Sequence, residues 1–154
     1  MAGGIALIQG ASRGIGLQFC RSLLQSRPGV KVIGTCRDPN AAHQLQTLKV
    51  EFPGALTVLS LDVTKPEDLL RAAENVQRDF PCLDLLINCT AMLHPSGRGE
   101  TSLREVTAEG LSHTFATNTI GPLLMVKHFS PLLLKGTGAF GPDLLTRPKS
   151  TELF

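Results

Sequence analysis

A chain of 154 residues, 42% hydrophobic and 18% charged, is long enough to bury a core and too apolar to be intrinsically disordered. Its 15 basic and 13 acidic residues leave a net charge of +2, which excludes recognition of nucleic acid or of a membrane surface by charge alone. We expect neither a membrane span nor a signal sequence, because no apolar run is long enough for the first and no basic leading region marks the second.

The cysteines and histidines give no sign of a metal site or a disulfide framework. Cys20, Cys36, Cys82 and Cys89 are scattered without a Cys-x-x-Cys pair, and the four histidines show no ligand spacing. We therefore expect four reduced thiols and a cytoplasmic protein.

Short apolar runs alternate with longer amphipathic ones, which is typical of a parallel sheet covered by helices. Strands are predicted at residues 4–8, 30–36, 56–61 and 83–88. Helices are predicted at residues 14–25, 40–52, 64–80 and 111–134. With right-handed crossovers the strand order is 3-2-1-4, a partial doubly wound sheet of the Rossmann type in the α/β class.

Local signals define the helix ends and faces. The first helix is predicted to bury Ile15, Phe19, Leu23 and Leu24. Asn40 is the expected cap of the second helix, a capping box of Thr64 and Glu67 opens the third, and Gly121-Pro122 kinks the last. After Lys135 the periodic pattern stops, so we divide the chain into a domain at 1–135 and an irregular tail at 136–154.

The turn between the first strand and the first helix is rich in glycine, Gly10-Ala11-Ser12-Arg13-Gly14-Ile15-Gly16. A pyrophosphate can approach the backbone only where side chains are absent, and glycine adopts the positive φ that such turns need. The helix that follows directs its unpaired amides and its positive dipole end at an anion. The pattern thus favours a nucleotide site over a simple connecting turn.

This turn resembles the cofactor motif of the short-chain dehydrogenases/reductases. Three later matches follow in the family's order, Asp62-Val63 after the third strand, Asn88 after the fourth and Asn118 in the long helix. The resemblance covers roughly residues 3–134 and is strongest to the carbonyl-reducing members. It implies a nicotinamide dinucleotide as partner and hydride transfer between carbonyls and alcohols as the parent reaction.

The end of the second strand bears on the choice of cofactor. An acidic residue there would bind the ribose hydroxyls of NAD, but the chain has Cys36 followed by Arg37. Arg37 and Arg13 suit a 2′-phosphate, which favours NADP(H) over NAD(H). The alternatives are that Arg37 pairs with Asp38 on the surface, or that Asp38 binds the ribose.

The resemblance gives further cofactor contacts after the third and fourth strands. Asp62 would hold the adenine with Val63 lining its pocket, although Asp62 could also simply form a turn with Thr64. Asn88 matches the first position of the family's Asn-Asn-Ala-Gly turn, while Cys89-Thr90-Ala91 departs from the rest. The expected cofactor-binding residues are Gly10, Ser12, Arg13, Gly14, Ile15, Gly16, Arg37, Asp62, Val63 and Asn88.

The catalytic groups of the family have one counterpart here. Family members use a tyrosine, a lysine four residues later, a serine on the fifth strand and a supporting asparagine, of which only Asn118 is matched. The chain contains no tyrosine, and serine or threonine hydroxyls are much weaker acids than a phenol. His113 and His128 could donate a proton, but helical histidines more often pack at the surface. We expect a catalytically deficient chain in which Asn118 has a structural role.

The fifth strand of the family is also missing, which suggests a shortened isoform of a longer reductase with a replaced tail. Splicing, a gene-prediction artefact and adaptation would each produce such a tail. We expect the fourth strand to become a sheet edge and Leu123, Leu124, Val126 and Phe129 to lose their partners. A homo- or heterodimer through Leu111–Leu134 would cover them. The alternative function is therefore that of a non-enzymatic modulator of a full-length reductase.

Overall fold

Four strands form a single parallel sheet in the computed structural model, which describes residues 3–140. They are β1 (Ile5–Gln9), β2 (Lys31–Cys36), β3 (Leu56–Ser60) and β4 (Leu85–Asn88). Their order is β3-β2-β1-β4, which confirms the predicted partial Rossmann sheet. The central strand β1 is apolar on both faces, as a strand covered by helices on both sides must be.

Helices cover both faces of the sheet. They are α1 (Gly14–Ser26), α2 (His43–Glu51), α3 (Pro66–Asp79), α4 (Ala108–Phe115) and α5 (Gly121–Leu133). One core cluster lies under α1 and α2 and the other under α3 and α5. Within residues 3–140, no helix is both long and apolar enough to span a bilayer.

The buried face of α1 differs from the predicted one. Ile15 is 73% exposed and Phe19 40% exposed, whereas Leu17, Cys20 and Leu24 are buried. Gly16 causes the difference, because its Cα lies against the backbone of the glycine turn and this close approach fixes which side of α1 faces the sheet. The apolar periodicity does not reveal this contact, so the predicted burial was wrong at Ile15 and Phe19, while it was right at Leu24 and in part at Leu23.

Two of the predicted helix caps are also wrong. The second helix begins after Ala42 without a side-chain cap, while Asp38 accepts hydrogen bonds from the amides of Asn40 and Ala41. The third begins after Lys65, again without a side-chain cap, and the Thr64 hydroxyl donates to Asp62. In both places an aspartate at the end of a strand forms the turn that precedes the helix.

The predicted long helix is two helices joined by a π-helical segment. Residues 116–120 form this segment between α4 and α5. Pro122 has no N–H to donate to the carbonyl of residue 118, so the regular hydrogen-bond ladder must change before it. The kink was predicted at Gly121-Pro122, but the irregularity begins several residues earlier, at the start of the π segment. Gly121 in turn lets α5 approach Val63, whose Cβ would be 2.8 Å from an added methyl group.

The outer side of α4 and α5 carries an apolar helix surface, made of Leu111, Phe115, Ile120, Leu123 and Val126, all of them exposed. Their spacing, with one extra residue across the π segment, keeps them on one side of the two helices. Leu124 is partly buried. Phe129 was predicted to be exposed as well, but it is fully buried against the sheet. As expected, β4 lies at a sheet edge.

Beyond α5 the described chain folds back under the amino-terminal end of the sheet. Residues 136–140 contain no helix or strand, yet Phe140 is only 7% exposed and packs into the core. Arg27 lies over its ring at 4.8 Å and donates to the carbonyl of Ala139. The domain boundary at Lys135 stays a prediction, and the rest of the predicted tail, residues 141–154, lies outside the described residues.

Asp84 connects this returning segment to the first strand. Its Oδ2 accepts the amide of Ile5 at 2.9 Å, and its Oδ1 accepts the amide and the hydroxyl of Thr137 at 2.5 and 2.8 Å. Burial alone would raise the pKa of Asp84, but these hydrogen bonds outweigh burial and lower the pKa. The ionised carboxylate therefore stabilises the fold.

We expect Asp84→Asn to lower the free energy of unfolding by about 2 kcal/mol at pH 7, since an amide cannot replace both carboxylate oxygens as acceptors. A carboxyl whose pKa falls on folding stabilises the protein above its unfolded pKa, about 3.9, and this stabilisation is lost as the pH drops through the folded value. Urea unfolding should thus show a smaller difference in unfolding free energy between the wild type and Asp84→Asn at pH 3 than at pH 7. Asp79→Asn, on the exposed end of α3, should change little at either pH. If the difference in unfolding free energy caused by Asp84→Asn does not become smaller in acid, the stabilising role of the ionised Asp84 carboxylate is contradicted.

Candidate functional site

The glycine turn after β1 is shaped by close backbone packing. Gly10 has a φ of 83°, and a methyl group on it would lie 2.5 Å from the hydroxyl of Thr90. A methyl group on Gly16 would lie 2.1 Å from the carbonyl oxygen of Gly10. Neither position can hold a larger residue without movement of the backbone, so the start of α1 is drawn tightly onto the end of β1.

The first turn of α1 presents free amides. The amides of Gly10 and Ala11 donate to Thr35, but those of Gly14, Ile15 and Gly16 have no acceptor within residues 3–140. Arg13 at the cap position supplies no side-chain hydrogen bond, and the first turn holds no acidic residue. Uncapped amides at the positive end of a helix dipole are an anion site.

These amides open into a cleft of about 480 Å³ at the carboxyl end of the sheet. Parallel strands deliver the loops that follow β1, β2, β3 and β4 to this same edge. The structure brings nine of the ten predicted cofactor-binding residues together in its walls: Gly10, Ser12, Arg13, Gly14, Ile15, Gly16, Arg37, Asp62 and Val63.

The tenth predicted residue, Asn88, lies behind this wall. It ends β4 next to Gln9, and its Oδ1 is buried with no hydrogen-bond partner in the described part of the chain. The turn that follows it, Cys89, Thr90 and Ala91, lines the cleft instead. A direct cofactor contact by Asn88 therefore remains a prediction.

Asp62 forms a turn with Thr64, which is the simpler of the two roles expected for it. Its Oδ1 accepts the amide of Thr64 at 3.0 Å and the Thr64 hydroxyl at 2.7 Å. Burial would raise the pKa of Asp62, but these hydrogen bonds and the positive charges of Arg37 and Lys65 outweigh it and lower the pKa. Asp62 is thus an ionised acceptor on the wall of the cleft, beside Val63.

Arg37 does not pair with Asp38. Among the residues that the structure describes, neither Arg37 nor Arg13 forms a salt bridge, and both side chains are exposed on the cleft. Asp38 uses its Oδ1 for the amides of Asn40 and Ala41. Two arginines without partners on one wall favour a bound anion over a surface ion pair.

Gln9 holds the turn after β4 in place, a role that the sequence analysis missed. Its Oε1 accepts the amide of Thr90 at 3.0 Å, and its Nε2 makes a short hydrogen bond to the Thr90 hydroxyl. Gln9 is 3% exposed, so these bonds satisfy a polar side chain that would otherwise be costly to bury. A polar residue at the end of an otherwise apolar strand, next to a glycine turn, was the available signal.

Asn118 also has a structural role. Its Nδ2 donates to the carbonyl of Met92 at 2.7 Å, and its Oδ1 accepts the amide of Met92 at 2.9 Å. Both ends of the amide thus fix the loop after β4 to the π segment, and Asn118 itself is exposed. Of the two histidines that were weighed as proton donors, His113 lines the cleft, while His128 lies on α5 and does not.

The cleft thiols are not activated nucleophiles. Burial raises the pKa of Cys89, and burial together with the charge of Asp38 raises the pKa of Cys36. Cys20, in the core under α1, has its pKa raised to about 12, chiefly by burial. A nucleophilic cysteine needs the opposite shift.

Comparison with known proteins gives a consistent result. The family model for short chain dehydrogenases matches residues 4–140. An uncharacterized oxidoreductase of Schizosaccharomyces pombe is 32% identical over 131 residues, covering 85% of this chain and 49% of that protein. The 3-keto-steroid reductase/17-beta-hydroxysteroid dehydrogenase 7 of Rattus norvegicus is 29% identical over 154 residues, covering 84% and 46%.

A solved structure gives the same picture of the fold. The NADPH-bound carbonyl reductase from chicken fatty liver has a TM-score of 0.77 to this chain at 36% identity, covering 86% of this chain and 49% of that one. The chain therefore spans about half the length of the curated relatives that it matches.

Proposed function

The chain belongs to the short-chain dehydrogenase family, and we propose that it is a dinucleotide-binding domain of that family with NADP(H) as its preferred cofactor. The observation that carries the proposal is the set of three free amides at the start of α1, Gly14 to Gly16. They face a cleft whose walls also hold Arg13 and Arg37, neither of them in a salt bridge among the described residues, and the ionised Asp62. A cytoplasmic setting, expected from the reduced thiols, is part of the same proposal.

Three parts of the cofactor have chemically matched groups in the cleft. The pyrophosphate is assigned to the amides of the first turn of α1, and the 2′-phosphate to Arg13 and Arg37. The adenine is assigned to Asp62 and Val63. Gln9 binds no cofactor in this scheme but positions Thr90 and so holds the cleft wall after β4.

Bound NADPH would supply a hydride, but the tyrosine that protonates the resulting alkoxide in family members has no counterpart in this chain. Asn118 uses both amide atoms on Met92, and of the two histidines weighed as donors only His113 lines the cleft. We therefore propose that the chain binds the cofactor and is deficient in carbonyl reduction.

Thermal unfolding with and without nucleotide tests the binding. A ligand at a hundred times its dissociation constant stabilises the folded state by about 2.7 kcal/mol, which should raise the Tm by roughly 8 °C. NADPH should give this shift at lower concentration than NADH. The absence of a shift with both nucleotides would refute the proposal, and turnover of a generic dicarbonyl at the rates of intact reductases would refute the deficiency.

Charge reversal at Arg37 should remove the preference between cofactors. In Arg37→Glu the carboxylate repels the 2′-phosphate and can accept hydrogen bonds from a ribose diol, so the affinity for NADPH should fall at least tenfold while that for NADH is kept or improved. Titration calorimetry of both nucleotides measures the change. Arg104→Glu, exposed and outside the cleft, is the matched control. Equal affinities for the two cofactors before and after the change at Arg37 would contradict this assignment.

A second candidate function follows from the apolar helix surface on α4 and α5. Leu123 is 68% exposed and Phe115 56% exposed, and exposed apolar side chains on one contiguous face mark a protein interface. β4 adds an unpaired strand edge nearby. We propose that a second copy or an intact reductase binds here, in which case the chain modulates a full-length relative.

Light scattering and co-purification test the second candidate. The chain should be a dimer alone or bind an intact family member without turnover of its own, and Leu123→Asp should return it to a monomer. Lys49→Asp, on α2 and so on the other face of the sheet, should not. A wild-type chain that stays monomeric and binds no intact reductase would contradict the partner role.

A further inference from the structure

A second groove opens beside the cofactor cleft, between the end of β2 and the start of α2. Its volume is about 560 Å³. It shares Ser12, Arg13, Cys36 and Arg37 with the cleft. A ligand in the cleft can therefore place a substituent in this groove and keep contact with the same two arginines.

The charges that face this groove favour an anion. Arg13 comes from the glycine turn, Cys36, Arg37 and Asp38 from the end of β2, and His43 from α2. Asp38 is the one acidic residue in the lining, and it is already an acceptor for two backbone amides. Burial, with the charge of Asp38, raises the pKa of Cys36, so this thiol adds no negative charge near neutral pH.

His43 is the first residue of α2 and is exposed on the groove. Ala42 before it gives the helix no side-chain cap, and the first turn contains no acidic residue. The amides of Gln44 and Leu45 have no acceptor in the described residues. The imidazole thus lies where the helix end itself favours an anion, on the wall of a groove that holds two arginines.

We infer that His43 is a third contact to the 2′-phosphate of NADP(H), and that it makes the preference for the phosphorylated cofactor depend on pH. The inference rests on the proposed function, because it names a further residue of the same site. Histidine side chains change charge between pH 5 and 8. The protonated imidazole strengthens binding of a phosphate dianion, whereas NADH has a neutral hydroxyl at that position and gains nothing.

The test compares wild type with His43→Gln by titration with NADPH and NADH at pH 6 and pH 8. At pH 6 the variant should bind NADPH about tenfold more weakly, the usual size of one hydrogen bond to a charged group, and NADH as before. At pH 8 the two proteins should differ by about twofold or less for either nucleotide, because histidine side chains lose their charge between pH 5 and 8. Protonation of the phosphate itself affects both proteins equally, so their ratio isolates the histidine.

His128→Gln is the matched control, since it makes the same change on α5, outside both the cleft and the groove. It should leave both affinities unchanged. The inference is overturned if His43→Gln keeps the wild-type preference at both pH values, or weakens NADPH and NADH equally. If the wild type binds neither nucleotide, the proposed function fails first and this inference fails with it.

Discussion

Gly16→Ala should abolish the stabilisation by NADPH and also lower the stability of the unliganded protein. The added methyl group would lie 2.1 Å from the carbonyl oxygen of Gly10. No rotamer relieves this contact, because both partners are backbone or Cβ, so the start of α1 must move away from β1. Overpacking of this kind costs roughly 1–3 kcal/mol, and the movement carries the free amides of the first turn away from the pyrophosphate.

The sign of the stability change makes this experiment informative. Gly16 lies within a helix, where alanine is ordinarily about 1 kcal/mol more favourable than glycine. Gly54→Ala is the control, since Gly54 has a φ of 72° and open space around it, far from the cleft. It should cost roughly 1 kcal/mol of backbone strain and keep the full Tm shift with NADPH. A Gly16→Ala protein that is as stable as the wild type and binds NADPH would show that the close approach does not shape the site.

Phe129→Ala should cost about 3–5 kcal/mol of unfolding free energy, a large share of the total stability of a domain of this size. Phe129 is fully buried between α5 and the sheet, together with Met125 and Leu83. Removing the ring leaves a cavity that the packed helix cannot close. Urea unfolding should show a much lower midpoint, or a chain that is already partly unfolded without denaturant.

Val126→Ala is the matched control, one turn earlier on the same helix. Val126 is 47% exposed, so its truncation should change the stability of the monomer by about 0.5 kcal/mol or less. A similar cost for the two substitutions would mean that α5 does not pack on the sheet through Phe129. The pair also separates folding from association, because Val126 belongs to the apolar helix surface and Phe129 does not.

The sequence was sufficient to predict the sheet and the residues that meet at its edge. Alternating apolar and amphipathic runs gave four parallel strands in the correct order, and parallel strands bring the loops after β1, β2 and β3 to one side. Gly10, Arg37 and Asp62 therefore share a cleft although they are far apart in the chain. The position of these residues at one edge of the sheet depends on the order of the strands and helices, and little on individual side chains.

The sequence did not predict contacts that depend on close approach between elements. The exposed Ile15 and Phe19 follow from the packing of Gly16 on the glycine turn, and the buried Phe129 follows from the packing of α5 on the sheet. The bonds of Gln9 to Thr90 join the end of β1 to the turn after β4. Propensity and periodicity describe one element at a time, so none of these three features is visible to them.

Titration of isotope-labelled protein with NADPH, followed by amide chemical shifts, tests the central claim most directly. The account predicts saturable shifts of the amides of Gly14, Ile15 and Gly16, with smaller changes around Arg37 and Asp62. NADH should move the amides at the start of α1 as well but leave those near Arg37 closer to their free positions. If NADPH binds saturably but shifts the amide signals of other regions and not those of these three residues, the claim that the start of α1 binds the pyrophosphate is contradicted.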